Sequence, residues 1–467
     1  MVRAGERIHF VGVGGSGAAG AALLAHAAGA SVDGCDLDLP SPYTPPLEGA
    51  GIPLLRGHAA EHLTGVDRVA ATPAALGPGW HPELAAAGER GLPVLPWQAL
   101  LGELMAEEGR VGLAVAGTHG KSTTTALLGH LLISAGLDPT VEVGAMVPSW
   151  GASVRPGGGA PFLVEADEFA DNFLHYHPAA AIVTTVEMDH PDYFADREAV
   201  LNSFERFVQG MRAGGPFRAP LLLAAADPGV DALLARLDGW HGVTHRYGPG
   251  TECEAVDVAY EPSGTSFTLF GTRFRTALLG AHNVLNASAA IRLALELGAE
   301  LDRLVEGAKT FAGAGRRMEL IADTAGVTVL DDYAHHPTEV RAALAAARQR
   351  VGGRRLWAVF EPHMYSRTAL FLDEFAASFT DADEVVIADI FASRDADLTL
   401  SSAEALADAV ERISAVPTIA SGDVDATTDY VAAHLREDDA VLVMGAGKSY
   451  RIARGVAAAL ASTRSAR

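Results

Sequence analysis

The run Gly117-Thr118-His119-Gly120-Lys121-Ser122-Thr123 has the make-up of a phosphate cradle. Backbone amides at the start of a helix point at a bound anion, a lysine adds a full positive charge, and a Ser/Thr hydroxyl can ligate magnesium. The strict phosphate-loop pattern has glycine six residues before the lysine, where this chain has Val115, so the loop is a shortened version. A second run, Gly12-Val13-Gly14-Gly15-Ser16-Gly17, matches G-x-G-x-x-G, and Asp36 follows about 20 residues on, where an acid can bind a ribose hydroxyl. Its physical content is a diphosphate resting on a helix N-terminus. NAD and a nucleotide-sugar diphosphate both satisfy that, and the spacing does not choose between them.

Three further groups lie at the ends of apolar runs. Glu165, Asp167 and Glu168 close one candidate strand, and Glu187, Asp189 and His190 close the next. Strand C-termini lie beside the phosphate site in doubly wound sheets, so Glu165 and His190 are candidate metal ligands with Ser122. Asp331-Asp332-Tyr333-Ala334-His335-His336-Pro337 follows another strand, with Pro337 suited to the first turn of a helix. Its aspartates could orient a nucleotide, and its histidines could bind or deprotonate an amine. In Pro362-His363-Met364-Tyr365-Ser366-Arg367, Arg367 is a candidate clamp for a carboxylate or phosphate. Gly445-Ala446-Gly447-Lys448-Ser449 lacks the leading glycine of a phosphate loop and reads as a close-packed turn.

The elements that must hold these residues repeat one pattern: a β-rich apolar run, a glycine turn, then a helical stretch. It occurs at Ile8 to Ala28, at Gly112 to Ala135 and at Ala440 to Leu460. Buried strands are expected at Phe162 to Glu165, Ala181 to Val186, Leu221 to Ala224, Val327 to Leu330, Leu356 to Phe360 and Glu384 to Ala388. Such alternation predicts an α/β protein of open, mostly parallel sheets flanked by helices. Alternating residues from Glu252 to Leu278 predict a small antiparallel addition to the middle sheet. Polar stretches near Ala106 to Arg110 and Gly313 to Arg317 place three domains at 1–107, 108–316 and 317–467.

Composition narrows the partners. The 467 residues carry 35 Lys+Arg and 58 Asp+Glu, a formal net charge of −23, with 49% apolar and 20% charged residues. That is a globular chain without the basic face that nucleic acid or an anionic membrane requires. Cys35 and Cys253 alone make neither a disulfide framework nor a zinc site, which fits a reducing compartment. The opening segment is broken by His9, Ser16, His26 and glycines, so neither an export signal nor a membrane span is expected, and the cytoplasm is the expected location.

Taken together, the motifs resemble the Mur ligases, ATP-dependent amide-forming enzymes of peptidoglycan synthesis. The resemblance runs through G-V-G-G-S-G, A-G-T-H-G-K-S-T-T, E-A-D-E, D-H-P-D-Y-F from Asp189, G-A-H-N-V-L-N-A from Gly280, G-R-R from Gly315, D-D-Y-A-H-H-P-T-E-V and P-H-M-Y-S-R-T. It implies a Rossmann-like first domain for a UDP-sugar, a P-loop ATPase-like middle domain for ATP, and a Rossmann-like last domain for an amino acid. Gly12, Gly14, Gly15, Ser16, Gly17 and Asp36 would then hold the UDP-sugar. Gly117 to Thr123, with His282, Asn283, Asn286, Arg317 and Asp332, would bind ATP. Ser122, Glu165 and His190 would hold Mg2+, and Tyr333, His335, His336 and Arg367 would line the amino-acid site. Lys121, Glu165, His190, His335 and Arg367 would be the catalytic set.

The implied reaction joins L-alanine to the carboxylate of UDP-N-acetylmuramate through an acyl phosphate, in a monomer or homodimer that closes its domains before chemistry. P-H-M-Y-S-R-T favours this alanine-adding branch over the branch that recycles a whole murein peptide. A NAD-dependent dehydrogenase would use the first glycine run and leave the phosphate loop idle. The chain departs from the family pattern at Met364, where some members have arginine, and at Lys448, where an acid is frequent. It also has no lysine between Lys121 and Lys309, so the carbamylated lysine of several members is absent.

Overall fold

A computed structural model of the chain describes residues 2–77 and 81–465. The outermost ends of the first and third expected domains therefore lie outside the described residues. The chain divides into two compact units. One comprises residues up to Glu187, Glu198–Glu254 and Leu285–Ala314, and the other Met188–Arg197, Ala255–Val284 and the residues from Gly315 on.

The first unit contains two sheets. Five parallel strands run in the order Leu54–Arg56, Ser31–Asp36, Arg7–Val11, Arg68–Ala71, Val94–Pro96. The order reverses beside Arg7–Val11, so the first glycine run leaves the sheet at its switch point, where doubly wound sheets bind ligands. The second sheet has seven strands, in the order Val243–Tyr247, Leu221–Ala225, Ala180–Val183, Val111–Ala116, Pro161–Ala166, Thr140–Val147, Ala152–Arg155. All are parallel except the last, which pairs antiparallel with Thr140–Val147. Val111–Ala116 is buried along its whole length, as a strand covered by helices on both faces must be. The helix Ser16–Ala27 packs on this second sheet: the Ser16 hydroxyl donates to the Gly144 carbonyl at 2.8 Å.

The second unit is built on six strands in the order Glu319–Thr324, Val327–Asp332, Ala440–Met444, Leu356–Phe360, Glu384–Ala388, Thr418–Gly422, with only Glu319–Thr324 antiparallel. Two apolar layers, one around Leu344, Phe360 and Phe375 and one around Val359, Val443 and Ile452, sandwich this sheet. The antiparallel strands expected between Glu252 and Leu278 form, as Val256–Glu261, Gly264–Leu269 and Thr272–Thr276, a three-stranded sheet of their own, not an extension of the seven-stranded one. Gln349 explains where it attaches. Its amide nitrogen donates to the carbonyls of Glu261 and Gly264 (2.9 and 3.0 Å), and its oxygen accepts from the Gly280 amide at 2.7 Å.

Candidate active site

In the first unit the phosphate loop joins Val111–Ala116 to the helix Lys121–Ser134. Gly117 has φ +131°, and a Cβ there would sit 2.1 Å from Thr184 Oγ1, so no other residue fits the turn. The loop is tied to the next strand end: Thr118 and His119 amides donate to the Thr185 carbonyl and hydroxyl at 2.9 and 3.0 Å, and the Glu187 amide donates to Thr118 Oγ1 at 2.9 Å. Lys121 Nζ curls back to donate to the carbonyls of Gly117 (2.7 Å) and Thr118 (3.2 Å) and to Glu168 Oε2 (2.8 Å). Burial would lower its pKa, but Glu168, Asp167 and Glu165 outweigh burial and hold it charged. Ser122 Oγ donates to Glu165 Oε1 at 2.8 Å, and Glu165 Oε2 accepts from the Gly144 amide at 2.5 Å. Glu142, fully buried beside them, is pushed well above the carboxylate range by burial and by the charges of Glu165 and Asp167. The structure thus gathers Glu165, Asp167 and Glu168 around one lysine, with Glu142 near Glu165 and Asp167, a setting that favours a bound cation. Asn286 packs on the loop, its Oδ1 lying 2.8 Å from where a Gly120 Cβ would be, and Thr123 is buried in the helix's first turn.

The first glycine run in the same unit is also closely packed, since a Cβ on Gly17 would fall 2.3 Å from the Trp97 ring. Asp36 ends its strand and its Oδ2 accepts the Gly14 amide at 2.9 Å, while Ser41 donates to the Gly14 carbonyl at 2.7 Å. Asp36 is therefore held against the turn formed by Gly12 to Gly15.

In the second unit, Arg367 is 1% exposed and both its Nε and Nη2 lie 2.8 Å from Asp189 Oδ1, with Nη1 3.0 Å from His363 Nδ1. Burial would raise the Asp189 carboxyl, but the charge of Arg367 foremost holds it well below its ordinary range. Sequence reading anticipated that Arg367 would grip a carboxylate but not that Asp189 of the chain itself would be gripped. His190 follows Asp189 with φ +53°, its amide donating to Asp189 Oδ1 at 2.6 Å. His335 Nδ1 lies 3.0 Å from the Tyr333 carbonyl and 3.2 Å from Glu339, and burial drives this histidine down to about 4, leaving it neutral at physiological pH.

His336 has another task. It caps the helix Pro337–Val351, Nδ1 accepting the Thr338 amide at 3.3 Å and Nε2 reaching the Met188 carbonyl at 3.2 Å, which defines the neutral Nε2–H tautomer. Asp332 accepts from the Met318 and Ala334 amides (2.7 and 2.8 Å), and Arg317 lies over the Tyr333 ring at 5.2 Å. Asn283 donates to the Leu279 carbonyl at 2.8 Å, beside a partly buried His282 that desolvation pushes down to about 4. Arg316, the first arginine of G-R-R, ties the strand ends together through Asp331 (3.0 Å), the Gly445 carbonyl (2.6 Å) and Ser449 (2.8 Å). Gly445 to Ser449 is a packed turn, with the Ser449 amide on Glu361 Oε2 at 2.8 Å and the Gly445 amide on the Asp332 carbonyl at 3.2 Å.

Family models cover most of the chain in sequence order: Mur ligase family, catalytic domain, over 7–108, Mur ligase middle domain over 115–294, and Mur ligase, glutamate ligase domain, over 316–447. The chain belongs to the Mur ligase family. Two relatives of this Mur ligase, from Acidothermus cellulolyticus and Desulfitobacterium hafniense, are named UDP-N-acetylmuramate–L-alanine ligase. They are 40% and 39% identical to it over 449 and 456 residues, covering 94% and 96% of this chain and 92% and 99% of theirs. Among solved structures, the UDP-N-acetylmuramate–alanine ligase of Thermotoga maritima has the same fold, with a TM-score of 0.80 over 99% of this chain and all of that one at 24% identity. A murein peptide ligase of Psychrobacter arcticus gives 0.69 over 98% and 99% of the two chains at 26% identity. Among the described residues of this Mur ligase, no helix is long and apolar enough to cross a membrane.

Proposed function

We propose that this Mur ligase joins L-alanine to the carboxylate of UDP-N-acetylmuramate, with ATP converted to ADP and phosphate, in cytoplasmic peptidoglycan precursor synthesis. One observation carries the reading. A chain 40% identical, nearly end to end, to relatives named for this reaction keeps a glycine-strained phosphate loop, with Lys121 Nζ and Ser122 Oγ each 2.8 Å from an acidic partner. We take its domains as 1–107 for the UDP-sugar, 108–316 for ATP and 317–467 for the amino acid.

The chemistry explains why such a loop is needed. A carboxylate is a poor acyl donor because oxide is not expelled at neutral pH. Transfer of the terminal phosphoryl group of ATP to it gives an acyl phosphate, from which phosphate leaves readily. The alanine amine then attacks the carbonyl carbon, and the tetrahedral oxyanion that forms is stabilised by fixed positive charge. Lys121 supplies that charge at the phosphates, with the amides of Gly117 to Thr123. The oxygen donors of Ser122 and Glu165, in a pocket crowded with carboxylates, suit a hard divalent cation such as Mg2+, which when bound neutralises phosphate charge. Gly14 to Gly17 hold the UDP diphosphate, and Asn286 faces the ATP loop. His282, Asn283, Arg317 and Asp332 serve the nucleotide and Tyr333 the amino-acid end, while Arg367, its nitrogens engaged by Asp189 and His363, acts as a positioning residue. The amine must be neutral to attack. Both nitrogens of His336 are engaged, and burial makes His335 too weak a base to deprotonate an ammonium, so His335 serves to orient an amine that arrives neutral.

The test is ATP-dependent phosphate release with UDP-N-acetylmuramate and a panel of amino acids and one murein tripeptide. The reading expects turnover with L-alanine. Turnover with the tripeptide alone would make the chain a recycling ligase instead.

A further inference from the structure

The N-terminal sheet carries a buried cluster that the ligase reaction does not use. His9 comes from Arg7–Val11, Cys35 from Ser31–Asp36, His62 from the short 3-10 helix Ala60–Leu63, and Glu83 from the first turn of Pro82–Glu89. One ligand atom of each lies within 4.8 Å of all the others. His62 Nδ1 is 2.6 Å from Glu83 Oε1, Cys35 Sγ is 3.1 Å from both Glu83 oxygens, and His9 Nε2 is 3.5 Å from Oε1. His9, Cys35 and Glu83 are wholly excluded from solvent. Valines, leucines and alanines of the domain core surround Cys35, so this is a costly place for a carboxylate, a thiol and imidazoles, with His58 Nδ1 also 3.2 Å from both Cys35 Sγ and Glu83 Oε2.

The orientation of His9 points to what that partner is. Its Nδ1 is engaged with Asp33 Oδ1 at 2.5 Å, so Nε2 is the nitrogen turned into the cluster, and it has no hydrogen-bond partner among the described residues. A carboxylate on one ring nitrogen with the other aimed at a shared point is the arrangement that orients metal-binding histidines. We propose that His9, Cys35, His62 and Glu83 form a closed, four-ligand structural zinc site in the N-terminal domain.

The donor set fits the ion. Thiolate, carboxylate and two neutral imidazoles make a tetrahedral shell of the kinds zinc takes, and the two anions balance its charge. Without an ion, burial first and Glu83 second push the Cys35 thiol far up, and His9 is the cation of the cluster, held protonated up to about 9 by Asp33 and Glu83 despite its burial. A divalent ion replaces that proton and the thiol proton. The site also has something to hold. The Cys35 carbonyl accepts the Gly12 and Val13 amides at 2.9 and 3.0 Å, and its neighbour Asp36 accepts the Gly14 amide. Zinc at Cys35 would therefore fasten the strand end that shapes the first glycine turn. The proposal is independent of the ligase reading.

The experiment strips the full-length chain with a chelator and titrates it with Zn2+ alone, then with Co2+ as a spectroscopic stand-in. Expected are about one equivalent of tightly held zinc, a higher thermal midpoint in its presence, and a cobalt spectrum with a thiolate-to-metal charge-transfer band. C35S should remove that band and weaken zinc binding at least about tenfold, and H62N, at a partly exposed position that tolerates the change, should weaken it similarly. D33N, which touches no metal, should weaken binding about 10–100-fold by releasing His9. Circular dichroism establishes that each variant is folded. Failure of the wild-type chain to take up stoichiometric zinc would overturn the proposal and leave the cluster a hydrogen-bonded ion network. Uptake unaltered by C35S and H62N but lost in H81N would also overturn it, moving the ion to the neighbouring His58, His81 and Glu83.

Discussion

Lys121, partly buried, and Arg367, wholly buried, are both cations held by carboxylates of the chain, but their partners make different demands. Lys121 bonds two loop carbonyls and Glu168, so a phosphate arriving at the loop meets a charge already in position. K121A should lower turnover by at least about a hundredfold, the loss typical of removing one fixed transition-state donor. Binding of UDP-N-acetylmuramate, measured by calorimetry, should stay nearly normal if, as proposed, its diphosphate rests on the other glycine run. Near-normal turnover would refute the role. Arg367 has a structural duty as well. R367A strands Asp189 as an unpaired buried charge and should cost about 3–5 kcal/mol in urea unfolding. The double variant R367A/D189N should recover much of that loss, and strict additivity of the two changes would contradict the pairing.

At the scale of elements, the candidate groups sit where apolar strands stop. Three strands, Ala440–Met444, Leu356–Phe360 and Glu384–Ala388, have the bounds that their apolar runs predict, and the others differ by a few residues at most. Such runs are legible because a strand buried on both faces admits few polar residues, so the first polar or glycine residue marks its end. Pairings across the chain are not legible in this way. Nothing in the segment around Asp189 names Arg367, which lies 178 residues on, and nothing in His9 or Glu83 names Cys35. The alternation between Val256 and Thr276 points to antiparallel strands, but where they attach is decided by Gln349, a residue no motif marks, which bonds the Glu261 and Gly264 carbonyls. The loop itself makes a strong prediction. G117A needs a Cβ where Thr184 Oγ1 already stands, in a conformation L-residues avoid, so ATP affinity should fall at least about tenfold. Fluorescent-nucleotide titration checks this, and unchanged affinity would show that the turn is not the cradle.

For the whole molecule, acid sensitivity follows from the second unit's histidines. His282 and His335 are driven to about 4 and His363 to about 2, in each case by burial first. Because the unfolded chain protonates its histidines near 6.5, it takes up protons that the fold excludes. Stability contributed by these groups is full above about pH 6.5 and is lost as the pH falls toward 4. Asp331, raised to about 6 mainly by burial, acts in the opposite sense over much of that range, as do Asp332, Glu361 and Asp389, which burial also raises, so the share of one histidine is read from its variant. The urea midpoint of H335Q should therefore fall less, on acidification from about pH 7.5 to 5, than that of the unaltered chain. An H335Q midpoint that falls as steeply as that of the unaltered chain would contradict the buried, neutral state of this ring. Catalysis is tested more directly by following ADP. Given UDP-N-acetylmuramate, L-alanine, ATP and magnesium, the purified chain should form ADP in step with the alanylated sugar nucleotide, and should stop when either acceptor is withheld. ADP that never rises above the level seen without acceptors would contradict the assignment of the loop at Gly117 to Thr123 as the source of the transferred phosphate.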